Sequence, residues 1–195
     1  MRRGIFGGSF DPVHNGHLAV AEAAARQLGI DVVHLVPAHE QPFKRGSLVA
    51  SAEDRLAMLR LAVEGHSLLL VDDRELRRAG VSYTIDTLRE LTAEFPDDSL
   101  SLVIGADAAR DIAAWREAEA MASLAEVVAL PRQGSEIPPD RLISRVAEVS
   151  PVDVLASDVR ARVRRGESIS DLVPLAVASY IAERALYMAR ESKGK

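Results

Sequence analysis

The residues with the clearest chemical potential form one block, Gly7-Gly8-Ser9-Phe10-Asp11-Pro12-Val13-His14-Asn15-Gly16-His17-Leu18. Paired glycines let the backbone turn sharply and approach a ligand closely. His14 and His17 are three residues apart, a spacing that turns both rings to the same side once a helix begins there. Gly16, between them, leaves room where a side chain would crowd an incoming phosphate. A helix start adds unpaired N–H groups and a partial positive charge, an environment that suits phosphate. Two imidazoles aimed at one phosphate donate hydrogen bonds to the charge that builds up during group transfer. A lone histidine here would read as a turn or surface residue; the pair, set around a glycine after a Gly-Gly turn, reads as a site. The chain has no Gly-x-Ser-x-Gly elbow and no cysteine. The chemistry therefore points to positioning and charge stabilisation without a covalent intermediate.

Elements must hold this block in place. Short apolar runs predict strands at 3–6, 32–36, 68–71, 100–104 and 127–130, with a last strand within 149–154. Helical spacing predicts a helix from Asn15 to Leu28, closed by Gly29, with Leu18, Ala21, Ala25 and Leu28 inward. Ser51, with Asp54 three residues on, caps a second helix running to about Glu64. Further helices are expected over 84–94, over 108–124 in two pieces around Trp115, and over 157–165 and 174–187. Strands alternating with helices give the α/β class: a Rossmann-like, doubly wound parallel sheet with helices on both faces and a short helical C-terminal segment. Residues 1–195 are expected to form one domain, with the helical part at about 155–190. Glycine-bearing turns follow Phe6 and Ile104 and lie near Pro131, so they should gather along the carboxyl edge of the sheet, where such folds bind ligands.

Composition narrows the function classes. A formal net charge of −5 disfavours general nucleic-acid binding. Charges interrupt every apolar run before membrane-spanning length, and Gly7, Gly8, Ser9 and Asp11 cut the stretch behind Met1-Arg2-Arg3 too early for a signal peptide. The absence of cysteine is compatible with a reducing cytoplasm. No His, Asp and Glu spacing typical of a protein-built metal site is present, and His34, His39 and His66 read as structural or exposed. Homo-oligomerisation is left open.

The block resembles the signature of the nucleotidyltransferase superfamily, whose tetrad His-x-Gly-His is matched by His14-Asn15-Gly16-His17. Its Gly-Gly-Ser-Phe-Asp-Pro lead-in is similar to that of the bacterial nicotinate-nucleotide adenylyltransferases. The resemblance extends along almost the whole chain. Ser82-Tyr83-Thr84-Ile85-Asp86-Thr87-Leu88 resembles the family's Tyr-Thr-x-Asp-Thr element, and Gly105-Ala106-Asp107 with Trp115 resembles its Gly-x-Asp…Trp stretch. The resemblance implies transfer of AMP from ATP to nicotinate mononucleotide, giving deamido-NAD and pyrophosphate by direct attack of the substrate's phosphate on the α-phosphorus. It implies His14 and His17 as catalytic residues. It also implies that Gly7, Gly8, Ser9, Phe10, Asp11, Gly16, Gly105, Asp107, Ser157 and Arg160 bind ATP, and that Thr84, Trp115, Lys44 and Arg132 bind the other substrate. Mg²⁺ is expected to arrive with ATP, held largely by phosphates and water.

Taken singly, several of these residues admit a second reading. Thr84 either caps a helix or touches the pyridine ring. Trp115 either packs in the core or stacks on that ring. Asp107 either binds ribose hydroxyls or is a favourable acid in a helix's first turn. Lys44 with Arg45, and Arg160 with Arg162, Arg164 and Arg165, either reach phosphates or form solvated basic faces. The chain also departs from the family pattern. Gln41-Pro42-Phe43-Lys44 replaces Pro-Pro-His-Lys, and Gln133 follows Arg132 where the family has proline. Val154-Leu155-Ala156-Ser157-Asp158-Val159-Arg160 replaces Ile-Ser-Ser-Thr-x-Ile-Arg, keeping a hydroxyl at Ser157, expected to cap a helix, and the arginine. Competing readings are another nucleotidyltransferase, such as a pantetheine-phosphate or nicotinamide-mononucleotide adenylyltransferase, a nucleotide-binding regulatory protein, and a class I aminoacyl-tRNA synthetase domain. The last is disfavoured by short length and acidic balance.

Overall fold

The computed structural model describes residues 1–42, 46, 48–131, 137–147 and 154–188. Six strands form a wholly parallel sheet in the order β3-β2-β1-β4-β5-β6. They are β1 (Arg2–Gly8), β2 (Val32–Pro37), β3 (Leu69–Val71), β4 (Ser99–Gly105), β5 (Glu126–Leu130) and β6 (Arg145–Val146). The helices are α1 (Asn15–Leu28), α2 (Ala52–Val63), α3 (Arg74–Arg78), α4 (Thr84–Glu94), α5 (Ala106–Arg110), α6 (Ala118–Leu124), α7 (Ala156–Arg164) and α8 (Leu175–Glu183), with a 3₁₀ turn at Ile112–Ala114. The doubly wound α/β expectation holds. β1 pairs with β2 on one side and β4 on the other, so the strand order reverses between β1 and β4. That reversal opens a crevice at the carboxyl ends of β1 and β4.

Alternation along the strands loads both faces of the sheet. Val33, Leu35, Val103, Val128 and Leu130 join a core cluster with Leu18, Ala21, Ala25 and Leu28 of α1, Met58 and Leu59 of α2, Val159 of α7, and Val177 and Ile181 of α8. Ile5, Val36, Leu102, Ile104, Val127 and Ala129 join the opposite cluster with Ile85, Leu88 and Leu91 of α4 and with Met121 of α6. Each fully buried Leu or Ile contributes about 1.5–3 kcal/mol, so the faces fix the register. The C-terminal helices are thus part of the first face.

The α1 limits agree with the sequence pattern to the residue. Gly29 ends the helix in the left-handed conformation (φ 63°), which glycine adopts without penalty. Ser51 accepts from the Asp54 N–H as the α2 cap. Three expectations change. Helix α3 was not foreseen, because five residues are too few for periodicity to show. The segment 106–124 breaks into α5, the 3₁₀ turn and α6, with Glu117 in the left-handed region (φ 53°) before α6. The last strand lies at Arg145–Val146, and Val154 is outside any strand; residues 149–153 lie outside the described residues.

Candidate active site

β1 runs through both glycines before the chain turns toward α1. Gly8 sits tight against Phe10: an added Cβ would lie 3.1 Å from its ring, closer than ordinary van der Waals contact. Phe10 itself takes a left-handed conformation (φ 47°), which is costly outside glycine. Burial offsets that cost: the ring is 1% exposed and meets Phe6 and His17 edge-on or tilted. Phe10, expected among the ATP-binding residues, is therefore a floor under the histidine. The Asp11–Pro12 peptide is cis.

His14 occupies the N-cap position of α1 and His17 the third helical position. Their rings stack with centroids 3.6 Å apart and planes 23° apart. The His14 backbone N–H donates to Nδ1 of His17 (3.3 Å), and the His17 backbone N–H donates to the His14 carbonyl (2.9 Å), so the two residues close on each other at the head of the helix. An Nδ1 that accepts leaves the neutral ring's proton on Nε2, as a donor. Burial, and after it the neighbouring His14, push His17 well below the ordinary histidine value. His17 is thus a neutral donor at neutral pH. Gly16 is buried between the two.

The loop carrying these rings is tied from behind. Asp11 is buried, and its carboxylate accepts from the N–H groups of Val49 (2.7 Å) and Ala50 (3.1 Å) and from the Tyr187 hydroxyl (2.7 Å). The Asp11 carbonyl accepts from Arg160 Nη1 (2.6 Å). The Ser9 carbonyl accepts from Nη1 of Arg55, a guanidinium 1% exposed, while the Ser9 hydroxyl donates to Gln41 Oε1. Arg160 is accordingly no solvated basic face; Arg162 and Arg165 are, paired with Asp171 and Glu167. The sequence reading missed Arg55 and Tyr187. An arginine at an inward position of α2 was the available signal for the first.

Beside the loop, at the carboxyl ends of β1 and β4, opens a cavity of about 500 Å³. Gly7, Gly8, Gly105, Asp107, Tyr83, Thr84, Trp115 and Arg116 are among its lining residues. Its rim is held by the loops 38–42 and 80–84: the His39 N–H donates to the Ser82 hydroxyl, and the Ser82 N–H to the Glu40 carbonyl. Glu75 of α3 also lines it; burial pushes this carboxyl above its usual range, and Thr87 donates to it at 2.6 Å. Thr84 is the first residue of α4, the N-cap position being Tyr83, so of its two readings the capping one falls; it lines the cavity. Trp115 packs against the apolar cluster behind it and also lines the cavity. Asp107 sits in the first turn of α5, paired with Arg110, and lines the cavity.

One sequence expectation, Ser157, is not brought to the site. Ser157 is exposed, in the first turn of α7 but behind its N-cap residue Leu155, and its hydroxyl lies 3.5 Å from Asp158 Oδ1; it caps nothing. Lys44 and Arg132 lie outside the described residues. Among the described residues no group of three or more His, Cys, Asp or Glu is placed to hold a metal ion, and no helix is long and apolar enough to cross a membrane.

The stacked histidine pair stands at the head of the first helix, beside a crevice at the reversal point of a parallel sheet, where folds of this class bind nucleotides. Residues 5–179 match the cytidylyltransferase-like family. A probable nicotinate-nucleotide adenylyltransferase from Rhodopirellula baltica is 42% identical over 96% of this chain and 94% of its own length. One from Bordetella petrii is 41% identical over 95% and 98%. In three dimensions the chain is similar to Plasmodium falciparum nicotinic acid mononucleotide adenylyltransferase complexed with NaAD, with a TM-score of 0.78, 19% identity, and coverage of 95% and 97%. The chain belongs to the cytidylyltransferase-like family and, within it, to the nicotinate-nucleotide adenylyltransferases.

Proposed function

We infer that this chain is an enzyme that transfers AMP from ATP to nicotinate mononucleotide, giving deamido-NAD and pyrophosphate. The observation that carries the mechanism is the stacked His14–His17 pair at the head of α1, directly beside a cavity large enough for a mononucleotide. The substrate's phosphate attacks the α-phosphorus of ATP, one P–O bond forming as the bond to pyrophosphate breaks. His17, neutral with its proton on Nε2, donates to the charge that develops on the transferring phosphoryl group. His14 stacks on it and fixes the ring. The helix start adds backbone donors.

ATP lies along Gly7, Gly8, Ser9, Gly16 and Gly105 in this reading, with Asp107 toward a ribose and Arg160 toward the phosphates. Phe10 and Asp11 act through the loop they hold. The nicotinate mononucleotide takes the cavity, its ring against Trp115 and Thr84. Lys44 and Arg132 remain candidates for its phosphate on the sequence alone. A divalent cation, Mg²⁺ in this reading, comes with the triphosphate and neutralises its charge; the described carboxylates offer it no separate cage. Residues 1–195 act as one domain, in the cytoplasm, without nucleic acid. The test is incubation with ATP and nicotinate mononucleotide and, in parallel, with ATP and nicotinamide mononucleotide. Deamido-NAD with stoichiometric pyrophosphate is expected in the first; product in neither refutes the assignment.

A further inference from the structure

We propose that Arg116 selects the carboxylate-bearing pyridine nucleotide over its amide counterpart by pairing its guanidinium with that carboxylate inside the cavity. The proposal rests on the function inferred above and names what sets its substrate choice.

Among the described residues lining the cavity, Arg116 is the single lysine, arginine or histidine; the other charged groups there are the carboxyls of Glu75, Asp107 and Asp111. Without a cation, an anionic substrate group entering this space would meet only like charge. Arg116 stands beside the two residues best placed for an aromatic ring, following Trp115 in sequence and lying over Tyr83, with the guanidinium carbon 4.7 Å from the ring centroid. Arginine stacked on an aromatic face keeps its donor fork in the plane of stacking, free to engage a carboxylate edge-on.

Its present partners are loose. Asp86 lies 4.0 Å away and Glu117 3.8 Å away, both beyond hydrogen-bond distance, and the Arg116 side chain is 52% exposed. Glu117 is already engaged, both its oxygens accepting from Arg89 (3.2 and 2.5 Å). Exposed pairs of this kind hold a side chain weakly. A substrate carboxylate in the half-enclosed cavity offers two acceptor oxygens to five N–H donors, which is the stronger bidentate pairing. An amide offers one acceptor and sets its own NH₂ against a group that has only donors. The same residue therefore attracts one substrate and leaves the other poorly matched.

The experiment compares wild type, Arg116→Gln and Arg116→Lys at saturating ATP, with kcat and KM measured for nicotinate mononucleotide and for nicotinamide mononucleotide. Where turnover of the amide falls below detection, its inhibition constant replaces KM. Arg116→Gln should lower kcat/KM for the nicotinate substrate by about ten- to a hundredfold through KM, and leave the amide within about twofold. Arg116→Lys, which keeps the charge and loses the fork, should recover part of the preference. Equal losses on both substrates would mean that Arg116 merely props Tyr83, and would overturn the proposal. So would an unchanged ratio, or a wild type that uses both mononucleotides equally; in those cases adenylyl transfer itself would stand. A wild type that makes dinucleotide from neither would remove the underlying function as well.

Discussion

Around His14 and His17 the chain is tied from several directions, whereas Arg116, in the wall of the cavity beside them, has only loose ion-pair partners. Asp11, buried, gathers bonds from Val49, Ala50 and Tyr187, and its carbonyl takes another from Arg160. Arg116, on the cavity side, is half exposed, with its acidic neighbours at the limit of ion-pair distance. The difference matches the two tasks proposed for these regions. Charge stabilisation at a transferring phosphoryl group loses its value if the donor moves by an ångström, so preorganisation is concentrated there. Substrate choice needs a surface that a ligand can complete, and loosely held groups can exchange their partners for it.

The sharpest way to break this contrast is His17→Ala. Removing a preorganised donor should lower kcat by about 100- to 1,000-fold. The far-ultraviolet spectrum should remain native and KM for the mononucleotide should change little, because His17 is not in the cavity lining. Steady-state kinetics at saturating ATP tests this; near-wild-type turnover by the folded variant would disprove the role. A pH profile sharpens it. Because His17 is held well below the ordinary histidine value of about 6.5, it stays neutral as pH falls through that value, and kcat should be flat there instead of titrating. Linkage has the matching sign. A lowered folded value means that the unfolded chain takes up this proton first, so the stability tied to a neutral His17 is complete above about 6.5 and is lost as pH falls toward the folded value.

Next in size is the brace. Asp11→Ala leaves the Val49 and Ala50 N–H groups and the Tyr187 hydroxyl without their acceptor. Buried donors left unsatisfied cost about 1–3 kcal/mol each before relaxation, so a net loss of about 3 kcal/mol is expected. For a chain of this size that lowers Tm by about 6–12 °C. Asp11→Asn, which keeps one carbonyl acceptor, should lose less. Thermal unfolding of both variants tests the point, and an unshifted Tm in Asp11→Ala would show that the loop is held by something else.

The same two regions were unequally legible in the sequence. The phosphate corner is local: Gly-Gly, the His-x-Gly-His spacing and the helix start lie within a dozen residues, so residue type and period sufficed. Strand and helix positions were legible because both sheet faces are buried and the apolar runs are interrupted by Gly, Pro and caps. The brace was not legible, because Arg55, Arg160 and Tyr187 converge on Ser9 and Asp11 from as far as 176 residues away. Ser157 was misplaced by one assumption, that a hydroxyl near a helix start caps it; the helix starts at Ala156, and its cap position is Leu155, two residues before Ser157. Arg116 carried no signal at all until folding set it over Tyr83.

On the cavity side, Trp115→Ala should act through binding. Stacking of a base on an aromatic side chain is worth about 1–3 kcal/mol, and Trp115 also supports the apolar cluster behind it. KM for nicotinate mononucleotide should rise about tenfold or more, with kcat reduced far less than in His17→Ala. Trp115→Phe, retaining a smaller ring, should fall between. A kcat defect as large as that of His17→Ala would erase the division between the two regions.

The smallest effect separates the kept arginine from the kept hydroxyl of the altered segment before α7. Ser157 is exposed, outside the cavity lining, and its hydroxyl lies 3.5 Å from Oδ1 of the neighbouring Asp158. Arg160 Nη1 reaches the Asp11 carbonyl at 2.6 Å, which places its guanidinium against the loop that carries the histidines. Ser157→Ala should therefore change KM for ATP by less than about twofold, since a surface substitution removed from such contacts is usually near neutral. Arg160→Ala should raise KM for ATP by about tenfold or more, as expected for a lost charge-assisted contact. The paired measurement of KM for ATP decides it. A large effect at Ser157 would mean that α7 shifts when the triphosphate binds and brings that hydroxyl inward, and the phosphate corner would then be completed by the ligand, as the cavity is.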